Sequence, residues 1–180
     1  MDEKPGFEQL YHDHKKMVFN LALQYVQNSE DAEEITQDVF ISVHQSLDSF
    51  NEQSKISTWI YRISINKSLD FIKAKKRKKR FAFLTSLFKN EGASIKYDKA
   101  GFDHPGVLIE QKEGLEKIFF FINQLPENQK TALILNKIEH QSLAEIAEIM
   151  NIGEKAVESL VQRAKKNLLT KLNPNEGNEK

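Results

Sequence analysis

The sequence of 180 residues has no cysteine, only seven glycines and four prolines, and no apolar run near the roughly 20 residues that cross a bilayer. Without cysteine there can be no disulfide, thiolate metal site or cysteine nucleophile. Glycine and proline interrupt helices, so their scarcity favours long helices and few turns. The opening residues, MDEKPGFEQL, lack the basic-then-apolar order of a secretion signal, so we expect a cytoplasmic protein.

Charges are segregated along this chain, although its formal net charge is zero. Residues 1–54 contain 11 acidic and 3 basic side chains, whereas residues 55–80 contain 10 basic side chains and 1 acidic one. Seven of the eight residues in the stretch KAKKRKKR, residues 73–80, are basic. Compensation of a helix dipole needs only about one or two of them. The segregation therefore indicates a polyanionic partner, with a solvated basic helix end or a basic linker as the alternative.

Three amphipathic helices are predicted in the N-terminal half, because apolar side chains recur there at spacings of three and four residues. The first covers residues 7–27. The second begins near Ser29, where acidic residues in the first turn suit the helix dipole. The third begins near Ser57 and runs into the basic stretch. Four of its polar side chains follow at steps of four residues and so share one face: Thr58, Arg62, Asn66 and Asp70.

Residues 81–112 show no sustained periodicity and include three of the seven glycines. An unstructured segment of this length is unusual inside one compact domain. We therefore predict two small helical domains joined by a flexible linker, over residues 1–80 and 113–172. The tail, residues 173–180, is expected to be disordered. The predicted fold class is all-α.

The C-terminal half ends in a predicted helix-turn-helix. Ser142 and Glu145 have the spacing of a capping box at the start of a short helix. Asn151 suits the left-handed turn that follows, and Gly153 can cap a final basic helix. A short capped helix before a longer basic one is typical of DNA-binding proteins, and an ordinary helical hairpin is the alternative. The residues expected to fill the contact between the two helices are Ile146, Ile152, Val157 and Leu160 or Val161.

The motifs in this order resemble the bacterial sigma-70 family, specifically its extracytoplasmic-function group. The N-terminal match is EDAEEITQDVFISVHQSLDSF followed by STWIYRISINKSLDFIKAKKR. The C-terminal match is INQLPENQKTALILNKIEHQSLAEIAEIMNIGEKAVESLVQRAKKNL. The resemblance extends from about Phe7 to Leu172. It implies an N-terminal bundle of the sigma region 2 type and a C-terminal helix-turn-helix of the sigma region 4 type.

The resemblance also implies partners and roles for individual residues. The partners are core RNA polymerase, promoter DNA and an inhibitory anti-sigma factor. The resemblance assigns polymerase docking to Glu34, Gln37, Asp38 and His44. Reading and melting of the −10 element fall to Lys55, Thr58, Tyr61, Arg62, Asn66, Lys67 and Asp70, with Lys73, Lys75, Lys76 and Arg77 of the basic stretch holding phosphates. Reading of the −35 element falls to Lys155, Glu158, Ser159, Gln162, Arg163 and Lys166.

A few positions depart from the common family pattern. Lys130 stands where the family usually has arginine, which is a mild change for a structural ion pair. His140 replaces a frequent glycine in a turn, and Gly153 replaces a usual serine cap. Glu158 places an acid on the recognition face, where it can accept from a cytosine amino group or repel phosphate. These departures bear on which promoter sequence is read.

No catalytic constellation, phosphate loop or nucleophile motif is present in the sequence. His12 and His14 lie on different faces of the first helix and lack a third ligand, so we predict no metal site. We expect no enzyme activity, cofactor, small-molecule substrate or membrane insertion. The alternative function is a stand-alone helix-turn-helix regulator that binds DNA without polymerase. If the two halves associate without a partner, we expect the contact to be electrostatic.

Overall fold

The structure is a computed structural model that describes residues 6–51, 53–88 and 109–172, and over these residues it contains α-helices and no strand. The predicted all-α fold is confirmed. The predicted tail and most of the predicted linker lie outside the described residues. No described helix is both long enough and apolar enough to cross a membrane. In chain order the helices are α1 Phe7–Val26, α2 Ser29–Ser46, α3 Ile56–Phe88, α4 Ile109–Ile122, α5 Glu127–Lys137, α6 Leu143–Met150 and α7 Glu154–Leu172.

Helix α3 is longer than predicted, because it continues past residue 80 to Phe88. The added segment, FAFLTSLF, contains neither glycine nor proline, so nothing in its composition stops the helix. At the other end of the predicted linker, α4 already begins at Ile109. The segment between the two helices is thus shorter than the lack of periodicity suggested.

Side-chain caps and left-handed residues define the helix ends. The Asn28 Oδ1 atom accepts a hydrogen bond from the backbone N–H of Asp31 at 2.8 Å, which starts α2. The predicted capping box is confirmed: Ser142 and Glu145 each accept from the other's backbone N–H, at 3.2 and 2.9 Å. His140 and Asn151 have φ of 55° and 53°. Both are left-handed positions, which explains why glycine suits the first one.

The N-terminal bundle packs α1, α2 and α3 around one apolar cluster. Each helix contributes one stripe of apolar side chains, as the periodicity predicted. The buried side chains include Leu10, Val18, Ala22, Ile35, Val39 and Ile60.

The C-terminal half packs α4, α5 and α7 around Phe119, Leu133 and Ala164. Helices α6 and α7 meet through Ile146, Val157 and Val161, as predicted. The prediction for Ile152 is wrong, because this side chain is 37% exposed. It lies in the turn between the two helices, where the chain has left the face of α6.

The two halves are packed directly against each other. A single buried cluster joins Leu21 and Tyr25 of α1 and Ile65 of α3 to residues of α5, α6 and α7, among them Ile134 and Ile146. Opposite charges also meet here, since Lys73 lies 3.0 Å from Glu127, but both side chains are about half exposed. An exposed pair contributes little, whereas apolar burial is the dominant favourable contribution. The expectation of an electrostatic contact is therefore wrong.

Candidate polymerase and nucleic-acid interfaces

The predicted polymerase-docking residues form one exposed face of α2. Glu34, Gln37 and Asp38 all lie outside the buried stripe of this helix. The ring of His44 packs edge-on against Phe7 of α1, with 4.9 Å between the ring centroids. This contact lies at the C-terminal end of the face. The result is an exposed acidic surface on the N-terminal bundle.

Sequence reasoning missed Ile41, which lies on the same face and is 54% exposed. The available signal was its position, because Ile41 falls outside the apolar stripe that contains Val39 and Val43. An exposed aliphatic side chain within a polar rim is the usual arrangement at the centre of a protein-binding surface. Ile41 therefore joins the candidate docking face.

The predicted −10 stripe on α3 is partly buried. Thr58 and Tyr61 are only 5% and 7% exposed, while Lys55, Asn66 and Asp70 face solvent. Lys67, beside the stripe, is half-buried. The structure thus places these residues on one helix but leaves only part of the set open to a ligand.

Arg62, in the middle of this stripe, is occupied by backbone carbonyls of α6. Its Nη2 atom donates to the carbonyl oxygen of Glu148 at 2.6 Å, and its Nε atom donates to that of Ile149 at 3.3 Å. The last carbonyls of a helix have no intrahelical partner and carry the negative end of the dipole. A guanidinium group complements both properties, so Arg62 caps the C-terminus of α6.

Tyr61 makes a second polar contact between the halves. Its hydroxyl group donates to the Glu139 Oε2 atom at 3.2 Å and accepts from Gln141 Nε2 at 3.3 Å. Burial raises the pKa of Tyr61, and the Glu139 carboxylate raises it further. Burial also raises the pKa of Glu139. Tyr61 is therefore a neutral hydrogen-bond donor in this arrangement.

The basic stretch extends along the exposed side of α3. Lys73, Lys75, Lys76 and Arg77 are all exposed. Two of these side chains already have acidic partners, since Lys75 pairs with Asp31 and Lys73 with Glu127. Fewer cations than the sequence suggested are therefore available for phosphate in this arrangement.

The candidate −35 face on α7 is fully open. Its buried side carries Val157, Val161 and Ala164 and packs against the rest of the C-terminal half. An exposed helix with polar and basic side chains fits the major groove of DNA. The six predicted residues are all exposed: Lys155, Glu158, Ser159, Gln162, Arg163 and Lys166.

Comparison with known proteins identifies both halves. Residues 10–78 match Sigma-70 region 2, and residues 115–168 match Sigma-70, region 4. The ECF RNA polymerase sigma factor SigW of Bacillus subtilis is 30% identical over 174 residues, which cover 94% of this chain and 90% of SigW. The chain belongs to the ECF group of the sigma-70 family. The ECF RNA polymerase sigma-E factor of Escherichia coli K12 is 28% identical over 176 residues, covering 96% of this sigma factor and 89% of its relative.

Two solved structures share the fold of this sigma factor. The sigma factor RpoE, solved with the anti-sigma factor NepR from Bartonella quintana, aligns with a TM-score of 0.63 at 21% identity. It covers 94% of this chain, and the alignment spans 98% of RpoE. CnrH, solved with the cytosolic domain of CnrY, aligns with a TM-score of 0.64 at 20% identity, over 94% of this chain and 88% of CnrH.

Lys130 of this sigma factor does not form the ion pair that its position suggested. The side chain is 5% exposed, and its Nζ atom donates to the Tyr25 carbonyl oxygen at 3.1 Å and to Asn123 Oδ1. It also lies 4.7 Å from the centroid of the Tyr25 ring. Burial, together with the positive charge of Lys76, lowers the pKa of Lys130 to about 7. Lys130 therefore links α5 to the C-terminal end of α1.

The described residues contain no group of three histidine or acidic side chains that could hold a metal ion. His12 lies 3.7 Å from its neighbour Asp13; the His12 side chain is largely exposed and that of Asp13 is about half exposed.

Proposed function

We propose that this sigma factor directs core RNA polymerase to promoters. In this function α2 docks on the polymerase, α3 reads and melts the −10 element, and α7 reads the −35 element. The observation that carries the proposal is the division of surfaces: an acidic face on α2 and separate polar or basic faces on α3 and α7. An acidic face repels DNA and suits a basic protein surface, whereas the other two suit phosphates and base edges. The chain itself forms no covalent bond in this role.

Run-off transcription tests the proposal. Purified core polymerase from the source organism is supplied with genomic templates, with and without the protein. The expected result is new initiation sites that appear only when the protein is added. A stand-alone regulator, the alternative, instead binds DNA without polymerase and creates no initiation site. The absence of any new start site on genomic templates would overturn the proposal.

Footprinting of the polymerase complex on promoter DNA distinguishes the proposed −10 contacts of α3 from the proposed −35 contacts of α7. Asn66→Ala is expected to weaken protection of the −10 element. Arg163→Ala and Lys166→Ala are expected to weaken protection of the −35 element, each by about 1–3 kcal/mol. Lys117→Ala is the control, because Lys117 is exposed on α4 and lies outside both faces. Loss of the same element in both sets of variants would contradict the assignment.

Promoter reading requires the two halves to separate. Tyr61 is buried in the cluster shared with the C-terminal half, and Arg62 is bound to the end of α6. Neither side chain can contact DNA until the C-terminal half moves away from α3. The closed arrangement is therefore the free form of the sigma factor, and polymerase binding opens it.

An anti-sigma factor is a further proposed partner. This rests on the solved sigma factor RpoE, which is in complex with the anti-sigma factor NepR. Affinity purification of the tagged protein from its source organism tests both partners. Polymerase core subunits and a separate small protein are expected. Recovery of an inhibitor in a complex without polymerase supports the anti-sigma role, and its absence counts against that role.

A further inference from the structure

A cavity of about 320 Å³ lies at the joint between the two halves, where the basic end of α3 passes α5. Four lysines line it: Lys75, Lys76 and Lys79 from α3 and Lys130 from α5. The aromatic rings of Tyr25 and Phe71 form part of its wall. Its volume is at the lower end of the range for small-molecule sites, about 300–1,000 Å³.

The positive charge in this cavity is only partly compensated. Asp31 lines the cavity and pairs with Lys75. Glu127 stands close enough to Lys130 to raise its pKa, but it is itself paired with Lys73 at 3.0 Å. The hydrogen-bond acceptors of Lys130 are neutral oxygens of Tyr25 and Asn123. Lys76, Lys79 and Lys130 therefore face one space with no carboxylate of their own among the described contacts.

We propose that this cavity binds a small polyphosphate anion, held by Lys76 and Lys79 on one side and by Lys130 on the other. Lysine is an established phosphate ligand that acts as a point charge. A chain of two or three phosphate groups can contact several lysines at once. Inorganic polyphosphate and the phosphate chain of a nucleotide share this chemistry.

The anion bridges the two halves, because Lys130 belongs to α5 whereas Lys76 and Lys79 belong to α3. The site exists only when the halves are packed together, so the ligand stabilises the closed arrangement by mass action. Its negative charge also offsets the repulsion between Lys76 and Lys130, which now lowers the pKa of Lys130. The inference does not depend on the proposed function, since binding is a property of the free protein.

Isothermal titration calorimetry of the full chain with inorganic tripolyphosphate tests the site. Saturable binding of one tripolyphosphate per chain is expected, and orthophosphate is expected to bind more weakly because it reaches fewer lysines. Lys130→Met and Lys76→Met should each weaken binding on the order of tenfold. Lys76 is exposed, so that variant keeps its fold even if Lys130→Met does not.

Lys78→Met is the matched control, because it removes the same charge from the same basic stretch. Lys78 lines a different groove, between α2 and α3, and does not line the joint cavity. The affinity of the Lys78→Met variant for tripolyphosphate is expected to differ from that of the wild type by less than about twofold, because long-range charge effects are screened. Equal losses in Lys78→Met and Lys76→Met, or several anions per chain, would show a general basic surface and overturn the proposal.

Calorimetry also measures a second quantity, the number of protons taken up on anion binding. Near pH 7 part of Lys130 is neutral, so anion binding should draw a proton onto it. Titration in two buffers with different ionisation enthalpies measures this uptake, which should be lost in Lys130→Met. Titration with GTP then distinguishes the source of the phosphate. Tighter binding of GTP than of tripolyphosphate supports a nucleotide, equal binding supports inorganic polyphosphate, and failure of both to bind overturns the site.

Discussion

At the scale of single residues, Gly153 is a cap without a side chain. Its carbonyl oxygen accepts from the N–H groups of Ala156 and Val157, at 2.9 and 3.1 Å, at the start of α7. A Cβ atom added at this position would meet no atom within 4 Å. Gly153→Ser should therefore add a hydroxyl cap without strain and raise the free energy of unfolding by a few tenths of a kcal/mol.

Urea unfolding measures the effect of the Gly153 substitution. Gly153→Ala is the control, since it adds the Cβ atom without the hydroxyl group and should be less stable than the serine variant. Equal stabilities for the serine and alanine variants would mean that no side-chain cap forms at this helix.

Lys130 makes the stability of the folded chain depend on pH. Burial lowers the pKa of Lys130 from 10.5 to about 7, so between these values the unfolded chain binds more protons than the folded one. The contribution of Lys130 to the free energy of unfolding therefore rises as the pH increases from about 7 to about 10. The full rise is on the order of 1–4 kcal/mol.

Urea unfolding of wild type and Lys130→Met across this pH range isolates the effect. The difference between the two profiles should shift in favour of the wild type as the pH rises. Lys130→Arg is the matched variant. Because arginine stays charged, it retains the free-energy cost of burying a charge at every pH. Parallel profiles for wild type and Lys130→Met would show that Lys130 does not change protonation on folding.

The sequence predicts some of these residue roles and not others, for a physical reason. The capping box joins Ser142 to Glu145, and spacing alone predicts such a local contact. Lys130 instead bonds to Tyr25, which is 105 positions away in the chain. No local pattern indicates a partner at that distance. Its position in the family suggested an ion pair, and the actual acceptors are neutral oxygens.

At the scale of helices, the exposed face of α2 is the element to test for docking. Asp38→Lys combined with Gln37→Ala should lower the affinity for core polymerase by at least about tenfold, since reversal of a charge within an interface replaces attraction by repulsion. Ile41→Ser should weaken the same binding through lost apolar contact. Both changes affect exposed side chains, so the fold should persist.

The affinity for core polymerase is best measured by surface plasmon resonance, with circular dichroism to check the fold. Asp48→Lys provides the control, because Asp48 is an exposed acid beyond the end of α2. Unchanged affinity in the Asp38 variant, or equal losses in both variants, would remove the assigned interface.

The existence of the helices was predictable, because the local spacing of apolar residues shows each amphipathic stripe. Helix length was harder to predict, and α3 continues to Phe88 because no residue after position 80 interrupts it. The exposure of Ile152 was missed for a similar reason. Its spacing from Ile146 fits a helix, but the chain has already turned at Asn151, where φ is 53°.

At the scale of the whole molecule, the contact between the halves was the least predictable feature. Charge segregation suggested an electrostatic contact, but the joint is built from apolar side chains such as Leu21, Ile65 and Ile134. Leu21, for example, belongs to an apolar stripe of α1 that also fits an isolated helical domain. An apolar stripe that packs against helices of both halves has the same sequence pattern as one that packs within a single half. Only the packed structure therefore reveals the shared core.

The apolar joint predicts that closure of the free protein resists salt. Charge attraction weakens as the Debye length falls from about 10 Å at 0.1 M to about 3 Å at 1 M salt, whereas apolar burial does not. Small-angle scattering should therefore give the same radius of gyration at both concentrations. Ile65→Lys places a charge in the joint, where Ile65 is 7% exposed, and should expand the molecule by separating the halves. Ile41→Lys, at an exposed site on α2, is the control for added charge. Expansion of the wild type at 1 M salt would contradict an apolar joint and restore the electrostatic account.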